Sequence, residues 1–166
     1  MQPRSLRELE SELAGGTAAH PQDFAGYAFR GVSLGLPKLV DKLLWKTFAK
    51  VFVPDGNEVR GFNLRIVQGQ PTYRPRARKP RFGEFVAVAE GDATVLEYGL
   101  ANPRWHPLAP MRDRIVSRGP DLFLGRAYVA LLGREISTPS YFTLERARKL
   151  DADITIENAH DGLGEI

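Results

Sequence analysis

The stretch FAKVFVPDGNEVRGFNLRIV, residues 48–67, holds two runs of alternating apolar residues on either side of Pro54-Asp55-Gly56. Proline fixes φ at the start of a turn, and glycine supplies the positive φ that a tight reversal needs. Two alternating runs joined in this way are typical of an antiparallel hairpin. The sequence therefore predicts two paired strands over 48–53 and 58–67.

Similar runs, each closed by a Gly, Pro or Asp turn, fill most of the chain. They are Phe24–Leu34, Phe82–Ala89, Thr94–Gly99, Leu122–Leu132 and Ser140–Arg146, and Arg112-Asp113-Arg114 opens a further strand. Strands at this spacing, without helices between most of them, indicate an all-β sandwich or barrel. Pro139 should break or bulge the last ladder, because proline cannot donate a hydrogen bond to a sheet.

Two short helices accompany the strands. Ser5-Leu-Arg-Glu8 is a capping box, followed by leucines at helical spacing and stopped by Gly15-Gly16. Residues 36–45 carry an amphipathic pattern after Pro37, and a helix there could lie across one open end of a barrel as a lid. We predict one domain over 1–166, with a helical extension over 1–20 and an acidic tail over 147–166.

Composition narrows the function classes. The chain has 166 residues and no cysteine, which excludes disulfides and thiolate chemistry and favours a reducing, cytoplasmic location. No apolar run reaches the ~18 residues of a membrane span, and the N-terminus lacks the apolar core of a secretory signal. The net charge of +3 is uneven, since the last sixteen residues carry five acids and no Lys or Arg. Such a tail is either a solvated terminus or a segment that folds back on basic groups.

Three signals in the sequence are weak. Gly31-Val-Ser33-Leu-Gly35 matches a nucleophile elbow, but that fold needs several parallel strands upstream, so we interpret Ser33 as a turn residue. The three histidines lack metal-ligand spacing, and we predict no metal site. The loop Arg74–Arg81 places five cations among prolines without the aromatic pattern of nucleic-acid binding, which argues against a nucleic-acid partner.

Charged residues inside apolar strands are more informative. Each one either faces water or points into the barrel, where a buried charge must be paired. An inward pair would anchor a ligand or act as an acid and base, and Asp113 with Arg126 or Arg30 is the first pair to examine. Asp113 and Glu97 are the candidate catalytic groups. The candidate ligand-binding residues are Arg30, Trp45, Tyr98, Trp105, His106, Arg126, Tyr128 and Tyr141.

Several motifs occur in a consistent order along residues 20–147. They are Tyr27-Ala-Phe29-Arg-Gly31, Trp45-Lys46 before Phe48, Pro110-Met-Arg-Asp113, Leu124-Gly125 and Tyr141-Phe-Thr-Leu-Glu-Arg146. This order resembles the GXWXG-type bacterial proteins and their associated C-terminal domain, with Tyr27-x-Phe29-x-Gly31 in place of Gly-x-Trp-x-Gly. The resemblance implies a small antiparallel up-and-down β-barrel similar to the calycins, lipocalins and nitrobindins. No histidine here matches a nitrobindin haem ligand, so we predict no cofactor.

Three functions remain open. The first is binding of a small hydrophobic or aromatic molecule inside the barrel, which requires a cavity of roughly 300 Å³ or more. The second is an enzyme of the cyclase or isomerase type that acts on a hydrophobic metabolite, such as a natural product, in the same cavity. The third is a surface adaptor that uses the Arg74–Arg81 loop on an acidic partner. Nothing in the sequence indicates the oligomeric state.

Overall fold

Eight antiparallel strands close into a barrel in sequence order, which confirms the predicted all-β, up-and-down fold. The structure, a computed structural model, describes residues 5–34, 46–159 and 163–166. Helix α1 covers Leu6–Ala14 and a 3₁₀ turn covers Pro21–Asp23; the strands are β1 Tyr27–Leu34, β2 Thr47–Asp55, β3 Glu58–Leu64, β4 Arg81–Glu90, β5 Ala93–Glu97, β6 Met111–Ser117, β7 Leu122–Leu131 and β8 Arg134–Lys149. The predicted lid helix over 36–45, with Trp45, lies outside the described residues.

The pairing register of the strands agrees with the turn and proline positions in the sequence. Asp55 pairs with Glu58 across the β2–β3 reversal, as the Pro-Asp-Gly turn predicts. β8 is longer than the predicted run because it continues as a hairpin with β7. In that hairpin Arg126 pairs with Tyr141 but Tyr128 pairs with Ser137, so residues 138–140 form a bulge opposite Ala127. Pro139 lies in that bulge, as predicted.

The two ends of the lumen differ. The end at which β1 begins, here called the plugged end, is filled by the rings of Phe24, Phe29, Phe52 and Phe123. Phe24, which precedes β1, lies 4.9 Å from Phe52 and 4.6 Å from Phe123 between ring centroids. These aromatic contacts add to the burial of the rings. The opposite end, here called the loop end, carries the β1–β2, β3–β4, β5–β6 and β7–β8 connections.

Two terminal segments cover the outside of the barrel. α1 packs Leu9 and Leu13 on an apolar patch that includes Leu124 and Tyr141, and its capping box forms as the sequence predicts. The C-terminal segment lies on an outer cluster with Val51, Phe62 and Leu64 of β2 and β3. Its buried members are Leu150, Ile156, Ala159, Leu163 and Ile166. Burial of apolar side chains therefore holds the acidic tail against the sheet.

In the described ranges, no helix combines the length and the apolarity that crossing a bilayer would require.

The aromatic packing of the plugged end yields a stability prediction. Phe24→Ala should lower the free energy of unfolding by about 3–5 kcal/mol, because it removes a fully buried ring and leaves a cavity. Leu132→Ala is the control, since Leu132 is 94% exposed and its truncation should change stability by less than about 0.5 kcal/mol. Chemical denaturation measures both values. Equal, small losses for the two variants would contradict a packed plug.

Candidate functional site

A cavity of about 960 Å³ occupies the loop end of the lumen. Its wall is formed where β1, β3 and β5 end and where β2, β4 and β6 begin, with further residues from β7, β8 and the β5–β6 loop. Apolar lining groups include Phe48, Phe82, Leu108, Met111 and Phe142, and polar ones include Lys50, Asn63, Tyr98, His106 and Asp113. The cavity exceeds the ~300 Å³ that a small-molecule site requires.

Two glycines help to keep this space open. A Cβ at Gly31 would collide with the ring of Phe48, and a Cβ at Gly125 would collide with the ring of Phe142. Each ring therefore lies directly against bare backbone on the barrel wall, with 5.9 Å between the two centroids. A larger residue at either glycine would push its ring away from the wall and toward the cavity.

A buried polar cluster of Lys50, Asn63, Tyr98 and Asp113 lies at the inner side of the cavity. The Lys50 ammonium donates to Asn63 Oδ1 at 2.7 Å, to Tyr98 Oη at 2.9 Å and to Asp113 Oδ2 at 2.9 Å. Tyr98 donates its own proton to Asp113 Oδ2 at 2.9 Å. Asn63 Nδ2 donates to the Gly83 carbonyl oxygen at 3.1 Å, which orients its amide. All four groups are hydrogen-bonded, as buried polar groups must be.

Aromatic faces complete the surroundings of the ammonium. Lys50 Nζ lies 5.2–5.5 Å from the ring centroids of Phe48, Phe85 and Phe142. Rings at this distance attract a cation through their quadrupoles, most strongly when water is excluded. The site therefore stabilises one positive charge at Nζ by a carboxylate and by three rings.

Burial shifts the acid–base properties of two members of the cluster. Desolvation lowers the pKa of Lys50, although the charge and hydrogen bond of Asp113 oppose that effect. Desolvation also raises the pKa of Tyr98 well above its usual value, and the Asp113 carboxylate adds to that increase. The amine is thus easier to deprotonate than a solvated lysine, and the phenol holds its proton more firmly.

The cavity brings together three of the sequence-predicted residues. Tyr98, Asp113 and His106 all line it. Asp113 is an inward, paired carboxylate as one alternative required, but its partner is Lys50 and not Arg126 or Arg30. His106 lies in the β5–β6 loop, where Nδ1 accepts a hydrogen bond from the Leu108 N–H at 3.2 Å.

Three other candidates lie on the outer surface beneath α1. The Arg126 guanidinium stacks over Tyr141 at 4.8 Å and over Tyr128 at 5.4 Å, and it pairs with Glu10 of α1. The Tyr141 hydroxyl donates to the same Glu10 carboxylate. Burial and the contact with Glu10 raise the pKa of Tyr141 to about 12. This cluster fixes the helix to the barrel and does not border the cavity.

The remaining candidates also lie away from the cavity. Arg30 stacks over Tyr73 at 5.5 Å and donates to the main-chain oxygen of Ile166, beneath the C-terminal segment. Glu97 accepts a hydrogen bond from Arg112 Nε at 2.8 Å on the outer face of β5 and β6. Trp105 is 81% exposed in the β5–β6 loop.

Ser33, interpreted from the sequence as a turn residue, lies within β1 and lines the cavity. The barrel is antiparallel throughout, so the parallel strands that a nucleophile elbow requires are not part of it. In the basic loop, Arg74, Arg76, Arg78 and Lys79 are exposed, and Lys79 and Arg81 also line the cavity. Arg81 pairs with Glu84 at 2.7 Å.

Lys50 and Asn63 were missed at the sequence level, although a signal for Lys50 exists. Phe48 and Phe52 flank it at i−2 and i+2, while Ala49, Val51 and Val53 make the other face of the strand apolar as well. A strand that is apolar on both faces is covered on both, so a lysine within it is buried and needs a partner. Asn63 has no comparable signal.

No group of three or more His, Asp or Glu side chains in metal-binding proximity occurs in the described part of the chain. Comparison with protein-family models gives no match. No curated protein matches the chain in sequence. The class that the geometry defines is therefore structural: a closed eight-stranded barrel with a cavity and a buried ion pair at one end.

The ion pair yields a prediction about stability. Lys50→Met should cost about 3–5 kcal/mol, because it leaves Asp113 buried without its partner, whereas Lys50→Met with Asp113→Leu should recover most of that loss. Arg60→Met is the surface control, since the Arg60–Asp55 pair is partly exposed and its loss should cost less than about 1 kcal/mol. Denaturant unfolding of the wild type, Lys50→Met, Asp113→Leu and the double variant measures the cycle, with Arg60→Met measured beside them. Additive losses in the double variant would contradict a coupled pair.

The raised pKa of Tyr98 yields a second prediction. Its stabilising effect should be complete below about pH 10, where the unfolded phenol ionises, and should be lost as pH rises further. Tyr98 should therefore stay protonated near pH 10 in the folded protein. The ultraviolet absorbance change from phenolate formation near that pH should then be the same in the folded wild type and in folded Tyr98→Phe. In denaturant the variant should lose one of five tyrosine amplitudes. A missing amplitude near pH 10 in the folded variant would disprove the shift.

Proposed function

We propose that this protein binds a small, largely hydrophobic molecule in the loop-end cavity, with a polar group of that molecule directed at the Lys50–Asp113 cluster. The observation that carries this proposal is the cavity of about 960 Å³, at the upper end of the range for small-molecule sites. A barrel without such a function would gain stability by filling this volume with side chains.

The chemistry of the wall supports the same conclusion. Phenylalanine, leucine and methionine side chains offer an apolar surface, and the Lys50–Asp113 cluster and the cations Arg65, Lys79 and Arg81 also line the cavity. This combination of mostly apolar contacts with a small number of fixed hydrogen-bonding groups is typical of ligand pockets. A ligand with an aromatic or aliphatic body and one oxygen-bearing group fits this distribution.

An enzyme acting on such a molecule is the second candidate. It is favoured by one observation, the contact of an inward carboxylate with both an amine and a phenol in the cavity wall. General acid–base chemistry requires groups that can exchange protons and that lie within hydrogen-bond distance of one another or of the substrate. Membership of the GXWXG-type family stays a proposal and supplies no substrate.

A filled-cavity variant tests the binding proposal. Ala127 lines the cavity on β7, and Ala127→Phe should place a ring inside it. The fluorescence of 1-aminoanthracene, a neutral apolar probe, should rise with saturation on the wild type, and its Kd should increase at least tenfold in this variant. Ala130→Phe is the matched control, because Ala130 is exposed on the same strand and should bind the probe like the wild type.

Circular dichroism verifies that both variants keep the barrel. Equal probe affinity in all three proteins would contradict binding in the cavity. If the probe affinities differ as expected, mass spectrometry of small molecules that remain bound to the wild type through native purification identifies the natural ligand. Ala127→Phe is the unloaded reference.

A further inference from the structure

We propose that Lys50 is a nucleophilic amine that forms an imine with an aldehyde or ketone bound in the loop-end cavity. This inference rests on the proposed binding function, and it names the chemical class of the ligand and the atom that would hold it. The carbonyl compound would have a hydrophobic body, because the walls around Lys50 are aromatic and aliphatic.

The position of Lys50 is the first support. It lines the cavity although its whole residue is only 2% exposed, so its amine borders the ligand space and is shielded from bulk water. The other described lysines, Lys46, Lys79 and Lys149, are exposed, and of these Lys79 also lines the cavity. Water exclusion favours an imine, because imine formation releases water and the reverse reaction consumes it.

A proton acceptor for the ammonium is already in place. Asp113 Oδ2 lies 2.9 Å from Lys50 Nζ, so one proton can pass between them without rearrangement. Transfer converts two buried charges into a neutral amine and a neutral acid, which removes their desolvation penalty. Burial also lowers the pKa of Lys50, which favours the same loss of its proton.

The reaction balances with the groups present. The neutral amine attacks the carbonyl carbon, and Tyr98, whose hydroxyl lies 2.9 Å from Nζ, is placed to donate a proton to the carbonyl oxygen and to recover one from the nitrogen. Asp113 then returns its proton to the carbinolamine hydroxyl, which leaves as water while the nitrogen lone pair forms the C=N bond, and the nitrogen keeps its one hydrogen as a protonated imine. The sum is ammonium plus carbonyl giving iminium plus water, with the Asp113 carboxylate restored.

The product is stabilised by groups that already stabilise the ammonium. The iminium nitrogen keeps one N–H, which Asp113 can accept, and its positive charge remains among the rings of Phe48, Phe85 and Phe142. Asn63 and Tyr98, released from the nitrogen, would face the departing water. The cluster is therefore complementary to the charged product as well as to the free lysine.

Reductive trapping tests this inference. The wild type is incubated at neutral pH with 6-methoxy-2-naphthaldehyde and sodium cyanoborohydride, which reduces an iminium to a stable secondary amine. We expect one adduct by intact mass, located on Lys50 by peptide mapping and at least tenfold more abundant than on any exposed lysine. Ala127→Phe should lose the Lys50 adduct, and Ala130→Phe should retain it.

Tyr98→Phe separates a chemical role from a structural one. At saturating aldehyde it should slow adduct formation at least fivefold, and titration with 6-methoxy-2-naphthalenemethanol, the matching alcohol, measures its separate effect on binding. The alcohol cannot form an imine, so its fluorescence titration measures binding alone. Alcohol binding without a Lys50 adduct, or with adducts spread over exposed lysines, would overturn the imine proposal only. Failure of the alcohol to bind would overturn the proposed function as well.

Discussion

The ion pair between Lys50 and Asp113 is the interaction on which the site depends. Two charges that are 2% and 5% exposed are tolerated only because they neutralise each other and because Asn63 and Tyr98 complete their hydrogen bonds. The pair joins β2 to β6 across the lumen, since each residue comes from a strand on a different side of the barrel. It thereby separates the packed plugged end from the cavity at the loop end.

The rest of the structure can be understood from this division. Aromatic packing at the plugged end, with α1 and the C-terminal segment buried on the outer faces, supplies apolar burial on both sides of the sheet. That burial allows the loop end to keep an open cavity and a buried ion pair, although both contribute less stability than a filled core. Such a compromise is common where a protein binds another molecule.

Local rules predicted the fold, and they located part of the site. The Pro54-Asp55-Gly56 turn, the bulge at Pro139 and the α1 capping box depend on nearby residues, so the sequence reveals them. The alternation of side chains along a strand also shows which residues share a face, but it does not show which face points into the lumen. Arg30 and Arg126 lie on the outer face of the barrel, and the C-terminal segment and α1 cover that face. The sequence pattern of these strands is therefore the same for the covered outer face as for the lumen. Asp113 was found as an inward candidate, while its pairing with Lys50, 63 residues away, follows only from the closed barrel.

Nuclear magnetic resonance of protein labelled with ¹³C at lysine Cε offers the most direct test that the cavity reaches the buried pair. On addition of 6-methoxy-2-naphthalenemethanol, the Lys50 Cε signal should shift and show nuclear Overhauser contacts to the naphthalene protons. The signal of Lys149, which lies at the plugged end, should stay in place. A Lys50 signal that the bound probe leaves unchanged, with contacts to exposed lysines instead, would contradict a ligand cavity built around this ion pair.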